Sequence, residues 1–256
     1  MILAVTFQVL LRIIMEDFID YVFIFFIILL LRYFATAGMF YSYYIKIKNN
    51  NSPIKILSGK PAKENQIKKE IYWSVISTAI FAFFGAVTYW LWLNNLTAIY
   101  LNPSTFGYWY LPISLVIILL LHETYYYWLH RAMHFPKIFR IVHRVHHQSI
   151  NTTPWTAFSF HPWESMLEAL IIPIILLLLP VNIYVLLFYL IFMTLSSVVN
   201  HLDIEVYPVY FRKSTFGKLW IDATHHHYHH KEFNTNYGLY FTFWDKIMGT
   251  QSKNFL

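Results

Sequence analysis

The chain has no cysteine and few charged residues. Without cysteine it cannot form a disulfide, a thiolate-ligated haem, an iron–sulfur cluster or a cysteine-based zinc site, so any metal must be bound by imidazole, carboxylate or water. Charged residues make up 12% of the 256 residues and apolar residues 57%, whereas a typical soluble domain is roughly 25% charged. With a mean hydropathy of +0.45, this composition favours a membrane protein.

Several apolar segments are long enough to cross a bilayer. The clearest are residues 71–93, 109–129, 163–179 and 181–200. A further span lies within residues 18–44, where Arg32 interrupts the apolar run. A central Arg costs roughly 2.5–3.5 kcal/mol on insertion scales, so we expect Arg32 to snorkel or to face another helix. The sequence predicts an all-α, multi-pass membrane protein with about four to five transmembrane helices.

Basic residues predict the orientation. Residues 44–70 carry seven Lys, whereas residues 94–108 carry no charge. By the positive-inside rule the lysine-rich segment is cytoplasmic, and the formal charge of +6 favours anionic lipid headgroups over nucleic acid as a partner. Counting spans forward places residues 130–161 and 201–256 on the same side. These two segments hold 12 of the 13 His, so we expect a functional site on the cytoplasmic face.

Three histidine boxes lie in these segments and supply the candidate metal ligands. On a helix, positions i, i+3 and i+4 fall within an arc of about 100°, so an HxxHH box is expected to direct three imidazoles at one point. Eight imidazoles suffice for two metal ions, and neutral imidazole suits Fe, Cu, Zn and Ni. The candidate ligands are His130, His134, His143, His146, His147, His226, His229 and His230.

The second box is predicted to lie on an amphipathic helix over residues 137–147. On a helical wheel the basic, apolar and imidazole side chains of this segment occupy three separate sectors. Such a helix can lie at the membrane interface with its imidazoles toward a metal. An ordinary amphipathic helix with solvated histidines is the alternative. The three boxes therefore predict, in addition to the membrane helices, a cytoplasmic helical cap that carries a histidine-rich dimetal site.

A second set of residues is a candidate for metal binding or for orienting the ligands. Glu123 lies in an apolar span, so it either orients an imidazole or reaches water at the helix end. Asp222 either hydrogen-bonds an imidazole or caps its helix. His201 and Glu205 either form a further ligand pair or remain on the surface, and His161 is more typical of a structural role. The full set is His122, Glu123, His161, His201, Glu205, Asp222 and His225.

The motifs together resemble the fatty acid hydroxylase/sterol desaturase superfamily. The resemblance covers roughly residues 115–251. Phe160-His161-Pro162 and the pair His225-His226 are most similar to its C-5 sterol desaturase (lathosterol oxidase-like) branch. The residues that carry the resemblance are the three boxes, Phe160-His161-Pro162, Asn236-Tyr237-Gly238, Trp244-Asp245 and Gly249-Thr250.

The resemblance implies a non-haem di-iron site, O2, and electrons from NAD(P)H. It assigns the ligand role to the eight box histidines. Members of the superfamily have a further histidine box around the position of His201. The additional His of that box is absent here, and Glu205 is one candidate for the replacement ligand. The chain has no HPGG motif of cytochrome b5, so we expect a separate cytochrome b5- or ferredoxin-like donor, which the basic surface could dock if the donor is acidic.

We therefore expect a di-iron, O2-dependent membrane oxidoreductase that hydroxylates or desaturates a C–H bond of a sterol-type or fatty acyl lipid. The alternatives are an alkylglycerol or carotenoid monooxygenase of the same superfamily and a non-catalytic metal-binding membrane scaffold. A metal transporter is disfavoured, because residues 71–93 and 181–200 contain no acidic, basic or histidine residue to line a path.

The expected organisation is one structural unit. Residues 1–108 are predicted to form N-terminal membrane helices with the basic loop, and residues 109–256 the catalytic region. The expected location is the inner or plasma membrane in a bacterium and the endoplasmic reticulum in a eukaryote.

Overall fold

The computed structural model describes residues 2–49 and 56–254, with only the backbone described for residues 2–16 and 49. Within these residues the chain is mainly helical, and its two strands form one short parallel pair. The elements in chain order are α1 (Ile2–Asn49), α2 (Glu64–Leu93), β1 (Ile99–Tyr100), α3 (Tyr110–Met133), α4 (Pro136–Ile141), α5 (Pro162–Ala169), α6 (Ile171–Leu178), β2 (Val181–Asn182), α7 (Ile183–Asn200), α8 (Val209–Lys213), α9 (Ala223–Glu232) and α10 (Phe243–Ile247).

Four helices are long and apolar enough to cross a membrane. They are the Asp17–Lys48 part of α1, together with α2, α3 and α7. The shortest, α7, has 18 residues and is therefore about 27 Å long, close to the roughly 30 Å of a bilayer's hydrocarbon core. The predicted all-α, multi-pass fold is confirmed.

The predicted single span over residues 163–179 is wrong, because the segment forms two helices of eight residues each. Pro173 explains the break: it has no N–H to donate, and its ring displaces the carbonyl of Ala169 four residues earlier. The pair nevertheless crosses the bundle. It begins beside His161, and at its far end the N–H of Ala98 donates to the carbonyl of Leu176.

The two ends of the bundle differ. At one end β1 pairs with β2, with Ile99 opposite Val181. At the other end residues 134–161 and 201–254 form a cap, which α1 and α2 anchor. The hydroxyl of Tyr33 on α1 donates to the carbonyl of Trp155 at 2.9 Å, and Glu70 on α2 accepts the hydroxyl of Thr153 at 2.6 Å. The cap is thus bound to the first turns of α2 and, through Trp155, to the middle of α1.

The predicted helix over residues 137–147 is also wrong. Helix α4 ends at Ile141, and a 3₁₀ turn follows at His146–Gln148. Between them the N–H of Arg144 donates to the carbonyl of Phe139, five residues back, at 2.8 Å. This spacing is wider than the four residues of an α-helix, so the sectors of a regular helical wheel do not apply to this box.

Candidate metal centre

Nine of the thirteen histidines lie in two adjacent groups where the cap meets the end of α3. Within each group the available ligand nitrogens lie within 4.8 Å of one another. The groups touch, since the rings of His147 and His230 have centroids 4.8 Å apart. The five-histidine group contains His130, His134, His143, His147 and His229, and the four-histidine group contains His146, His201, His226 and His230.

Each HxxHH box contributes to both groups. His143 and His147 lie in the five-histidine group and His146 in the other, whereas His226 and His230 lie in the four-histidine group and His229 in the five-histidine group. The expectation that each box directs three imidazoles at one point is wrong. In an α-helix such as α9, positions i and i+4 diverge by only about 40°, while i+3 lies about 60° to the other side of i.

Four of the grouped imidazoles have their Nδ1 atom held by an acceptor outside the groups. A neutral imidazole carries a single N–H, so a ring that donates from Nδ1 presents a lone pair at Nε2. The four Nδ1 donors and their acceptors are His130 to the Tyr237 carbonyl (2.9 Å), His229 to the Thr235 carbonyl (2.7 Å), His201 to the Ser197 carbonyl (2.7 Å) and His143 to Glu164 Oε1 (2.6 Å).

In the five-histidine group two of these lone pairs face each other, and this arrangement fits a bound cation. Nε2 of His130 lies 3.1 Å from Nε2 of His143, although neither nitrogen carries a proton to share. In the four-histidine group, Nε2 of His201 lies 2.9 Å from Nε2 of His226. Two nitrogens bound to one ion at about 2.0–2.1 Å and a right angle lie about 3 Å apart. Both groups therefore fit a metal ion, although the ligand role of each histidine stays a prediction.

Burial keeps these imidazoles in the neutral form that binds a metal. The pKa of the grouped histidines in the cap is lowered, with desolvation as the largest cause and repulsion between neighbouring imidazoles next for most of them. For His201, burial lowers the pKa to about 4. At neutral pH all of these rings are uncharged and can bind as ligands.

Glu164 is part of the site, although the sequence analysis did not identify it. Its carboxylate accepts the Nδ1 proton of His143, and both side chains are buried. A carboxylate in this position fixes the ring orientation and the tautomer of a ligand histidine. The signal that could have found it is an acidic residue two positions after His161-Pro162, at the start of an apolar segment.

Glu123 has a different role from either of those expected. Its buried carboxylate accepts backbone N–H groups from Leu239, Tyr240 and Phe241, with the Tyr240 bond at 2.6 Å. Gly238 makes room for it, because a Cβ at this position would lie 2.9 Å from Glu123 Oε1 and 2.6 Å from the carbonyl of Phe241. Glu123 therefore holds the loop after α9 instead of orienting an imidazole.

That loop forms one wall of the five-histidine group. The carboxylate of Asp245 accepts the backbone N–H groups of Tyr237 and Gly238, at 2.8 and 3.0 Å. The Tyr237 carbonyl in turn accepts the proton of His130. The elements Asn236-Tyr237-Gly238 and Trp244-Asp245 thus position a histidine of the group through the backbone.

Asp222 and Glu205 both bind the backbone of α9. Asp222 caps the helix, because its Oδ1 accepts the N–H of His225 at 2.7 Å while Oδ2 accepts Arg212 Nε–H at 2.6 Å. Glu205 accepts the hydroxyl and the N–H of Thr224. Of the two roles expected for Asp222, the structure shows the helix cap. The expectation that Glu205 replaces the missing ligand is wrong, because its carboxylate binds Thr224. His201 itself belongs to the four-histidine group.

The other four histidines lie outside both groups. His227 Nδ1 lies 3.7 Å from Asp203 Oδ1. His161 caps α5 by accepting the N–H of Trp163 at 3.4 Å, which is a structural role. His122 Nδ1 lies within hydrogen-bond distance of the hydroxyls of Tyr189 and Tyr240. His225 is buried, with Nε2 at 3.9 Å from Asp245.

A long apolar cavity runs from the four-histidine group through the helical bundle. It has a volume of ≈ 340 Å³ and reaches from His201 and His226 to Trp92 and Ile99 near the β1–β2 end. It follows one face of α7 for most of the length of that helix, about 25 Å. The arrangement offers an elongated hydrophobic molecule a binding site that ends at the imidazoles.

Comparisons with known proteins support the resemblance to the fatty acid hydroxylase/sterol desaturase superfamily. A family model described as fatty acid hydroxylase matches residues 115–250. The chain is 27% identical over 187 residues to a Δ(7)-sterol 5(6)-desaturase of Gibberella zeae, covering 73% of this chain and 56% of that protein. It is 29% identical over 193 residues to the lathosterol oxidase of Mus musculus, covering 73% of this chain and 62% of that protein. It thus spans less than two thirds of these relatives. No solved structure matches.

Proposed function

The chain belongs to the fatty acid hydroxylase family, and from that premise we propose that it is a membrane-bound lipid oxidoreductase. We infer that it uses two non-haem iron ions and O2 to hydroxylate or desaturate a C–H bond of a sterol-type or fatty acyl lipid. The observation that carries the proposal is the convergence of nine imidazoles at the end of an apolar cavity. The names of the two relatives favour a sterol-type lipid.

The donor set supports iron. Nine imidazoles suffice for two ions, and imidazole suits iron. Iron bound there would supply the oxidation of a C–H bond by O2. In hydroxylation one oxygen atom enters the C–H bond and the other leaves as water, which consumes two electrons and two protons. In desaturation the lipid gives up two hydrogens and both oxygen atoms leave as water, with the same supply of electrons and protons.

The protein's own residues bind the lipid and orient the imidazoles. The apolar walls of the cavity exclude water from the lipid, and His201 and His226 line its end. Glu164 and the carbonyls of Tyr237, Thr235 and Ser197 hold the Nδ1 protons, so that the Nε2 lone pairs point inward. We infer that this fixed geometry selects which C–H bond is presented.

The opposite side of the centre supports electron entry from a separate protein. A shallow opening lined by His134, Phe139, Arg140 and Phe233 leads to the five-histidine group. Lys137, Arg140 and Arg144 are exposed around it, which favours an acidic partner. We propose that a cytochrome b5- or ferredoxin-like donor, reduced at the expense of NAD(P)H, docks here on the cytoplasmic side of the membrane.

Lipid mass spectrometry tests the proposed function. The chain and its His146→Ala variant are expressed in a host, with a donor protein and its reductase, under aerated conditions. We expect one lipid class to gain one oxygen atom or lose two hydrogen atoms with the unaltered chain, and no such change with the variant. If no lipid class changes while the protein contains iron and the donor is reduced, the chain is a metal-binding scaffold and the proposed activity is wrong.

A further inference from the structure

Arg32 lies near the middle of the first membrane helix, where burying a charged side chain is costly unless it has a partner. It is 15 residues from Asp17 and 16 from Lys48, which places it more than about 20 Å along the helix axis from either end. Arg32 therefore lies well inside this candidate span and not at one of its ends. Charged residues at this depth are rare and generally serve a substrate or a partner. The structure places Arg32 against α7, one of the two outcomes expected from the sequence.

The hydrogen-bonding capacity of Arg32 is largely unused. A guanidinium has five N–H donors and no acceptor. Nη1 donates to the carbonyl of Leu190 at 3.4 Å, which is a long contact. Nε is buried, and among the residues that the structure describes it has no hydrogen-bond partner. Because buried donors are nearly always satisfied, this side chain indicates an acceptor that comes from elsewhere.

The unused donors lie at the wall of the apolar cavity. Phe25, Leu29 and Arg32 share one face of α1, and all three line the cavity. Glu168 lines the same cavity, and its Oε1 is also buried without a partner in the described part of the chain. Within that part, no ion pair joins Arg32 to Glu168. The natural partner for the arginine is therefore the molecule that occupies the cavity.

This position is remote from the histidines. Arg32 reaches α7 at Leu190, eleven residues before His201, and these residues lie about 16 Å apart along the helix axis. The cavity continues between them along α7, lined by Met193 and Ser197. A lipid that contacts both ends must therefore be elongated. Its polar atom would lie at Arg32 and its reacting carbon near His201.

Resting on the proposed function, we propose that Arg32 determines substrate specificity by donating hydrogen bonds to an oxygen atom of the lipid. This oxygen belongs to a hydroxyl, carbonyl or carboxylate group that is remote from the carbon to be oxidised. Hydrogen bonds from a charged donor in an apolar cavity are stronger than those between neutral groups. A lipid with an oxygen at this position binds more tightly than the same lipid without it.

Equilibrium binding of matched lipids to the purified protein in nanodiscs tests the proposal. The probes are radiolabelled octadecanol against octadecane and cholestanol against cholestane, which differ in each pair by one hydroxyl. We expect the alcohol of at least one pair to bind about 10- to 100-fold more tightly than its hydrocarbon, the range of a hydrogen bond to a charged group. The pair that shows the preference identifies the lipid class.

Variants assign the preference to Arg32. Arg32→Met, which keeps the length of the side chain and removes its donors, is expected to bind the alcohol and the hydrocarbon of that pair equally. Leu31→Ala changes an exposed apolar side chain next to Arg32 that does not line the cavity, and it is expected to keep the preference. If Arg32→Met does not fold, Arg32→Lys replaces it and is expected to reduce the preference, because an ammonium lacks the planar fork of a guanidinium.

The outcomes separate this proposal from the proposed function. A preference that persists in Arg32→Met, or the lack of any preference in both pairs with the unaltered chain, overturns the role of Arg32. Neither result depends on turnover, so a failure to find an oxidised product leaves the binding result intact. Conversely, an oxidised product together with equal binding of alcohol and hydrocarbon keeps the proposed function and removes Arg32 as its specificity residue.

Discussion

The Nδ1 proton of His143 is donated to the carboxylate of Glu164 at 2.6 Å, and both side chains are buried. This bond directs Nε2 of His143 toward Nε2 of His130, at 3.1 Å. Because the carboxylate also makes the ring a stronger base, its contribution should appear in metal affinity. The pair joins α5, a segment of the broken membrane crossing, to the cap.

We expect Glu164→Gln to weaken metal binding by about 10- to 100-fold, the usual effect of losing the partner of a ligand histidine. The affinity is measured by competition with a chelator of known strength. Glu168→Gln is the matched control, because Glu168 lies one turn further along α5 and has no hydrogen bond to a histidine of either group. Equal affinity in the two variants would contradict the orienting role of Glu164.

Loss of one ligand from the four-histidine group should remove metal from that group only. We expect His146→Ala to retain about half of the bound metal, because each group has its own set of imidazoles. Elemental analysis of the purified protein gives the metal content. His161→Asn serves as the control, since asparagine also caps a helix N-terminus and His161 lies in neither group. A full metal content in His146→Ala would show that this histidine is not a ligand.

The loop held by Glu123 should depend on it for stability. We expect Glu123→Ala to lower the free energy of unfolding by about 2–4 kcal/mol, because it leaves the buried N–H groups of Leu239, Tyr240 and Phe241 without an acceptor. The measurement is thermal unfolding in detergent. Glu64→Ala is the control: it removes only an exposed pair with Lys68 on α2, and such pairs contribute little. A similar midpoint for both variants would contradict the account of Glu123.

Removal of the metal should destabilise the cap. The lone pairs of His130 and His143 repel each other without a cation between them. A ligand that binds only the folded state stabilises it by an amount that rises with the logarithm of its concentration relative to its dissociation constant. We expect a strong chelator to lower the unfolding temperature, and added iron(II) to restore it. The His146→Ala variant should respond less to both treatments. An unfolding temperature that the chelator leaves unchanged argues against ligation by these groups.

The sequence was sufficient to predict the fold class, because residues 71–93 of α2, residues 110–121 of α3 and the whole of α7 carry no charged residue. It could not predict the break between α5 and α6, because an apolar run containing Pro173 is compatible with both a kinked and a broken helix. The spacing identified eight of the nine grouped histidines. In α9 the division of the third box between the two groups follows from regular helix geometry. The division of the second box depends on the irregular backbone between Ile141 and His146, which the spacing could not predict.

Contacts between distant segments account for the remaining differences. Glu164 reaches His143 only because α5 packs under the cap, and Glu123 meets residues 239–241 across more than a hundred residues of chain. No local pattern encodes such pairs. His201 was one of the candidates, but its partner proved to be the four-histidine group and not Glu205.

The central claim is that the two histidine groups bind two iron ions through nitrogen alone. Iron content per chain, combined with X-ray absorption spectroscopy at the iron edge, measures this most directly. The account predicts two iron ions per chain, with nitrogen scatterers from imidazole at roughly 2.0–2.2 Å, near the distances known for imidazole bound to similar metal ions. Protein that binds no iron after anaerobic loading with iron(II), or iron that lacks imidazole scattering, would contradict it.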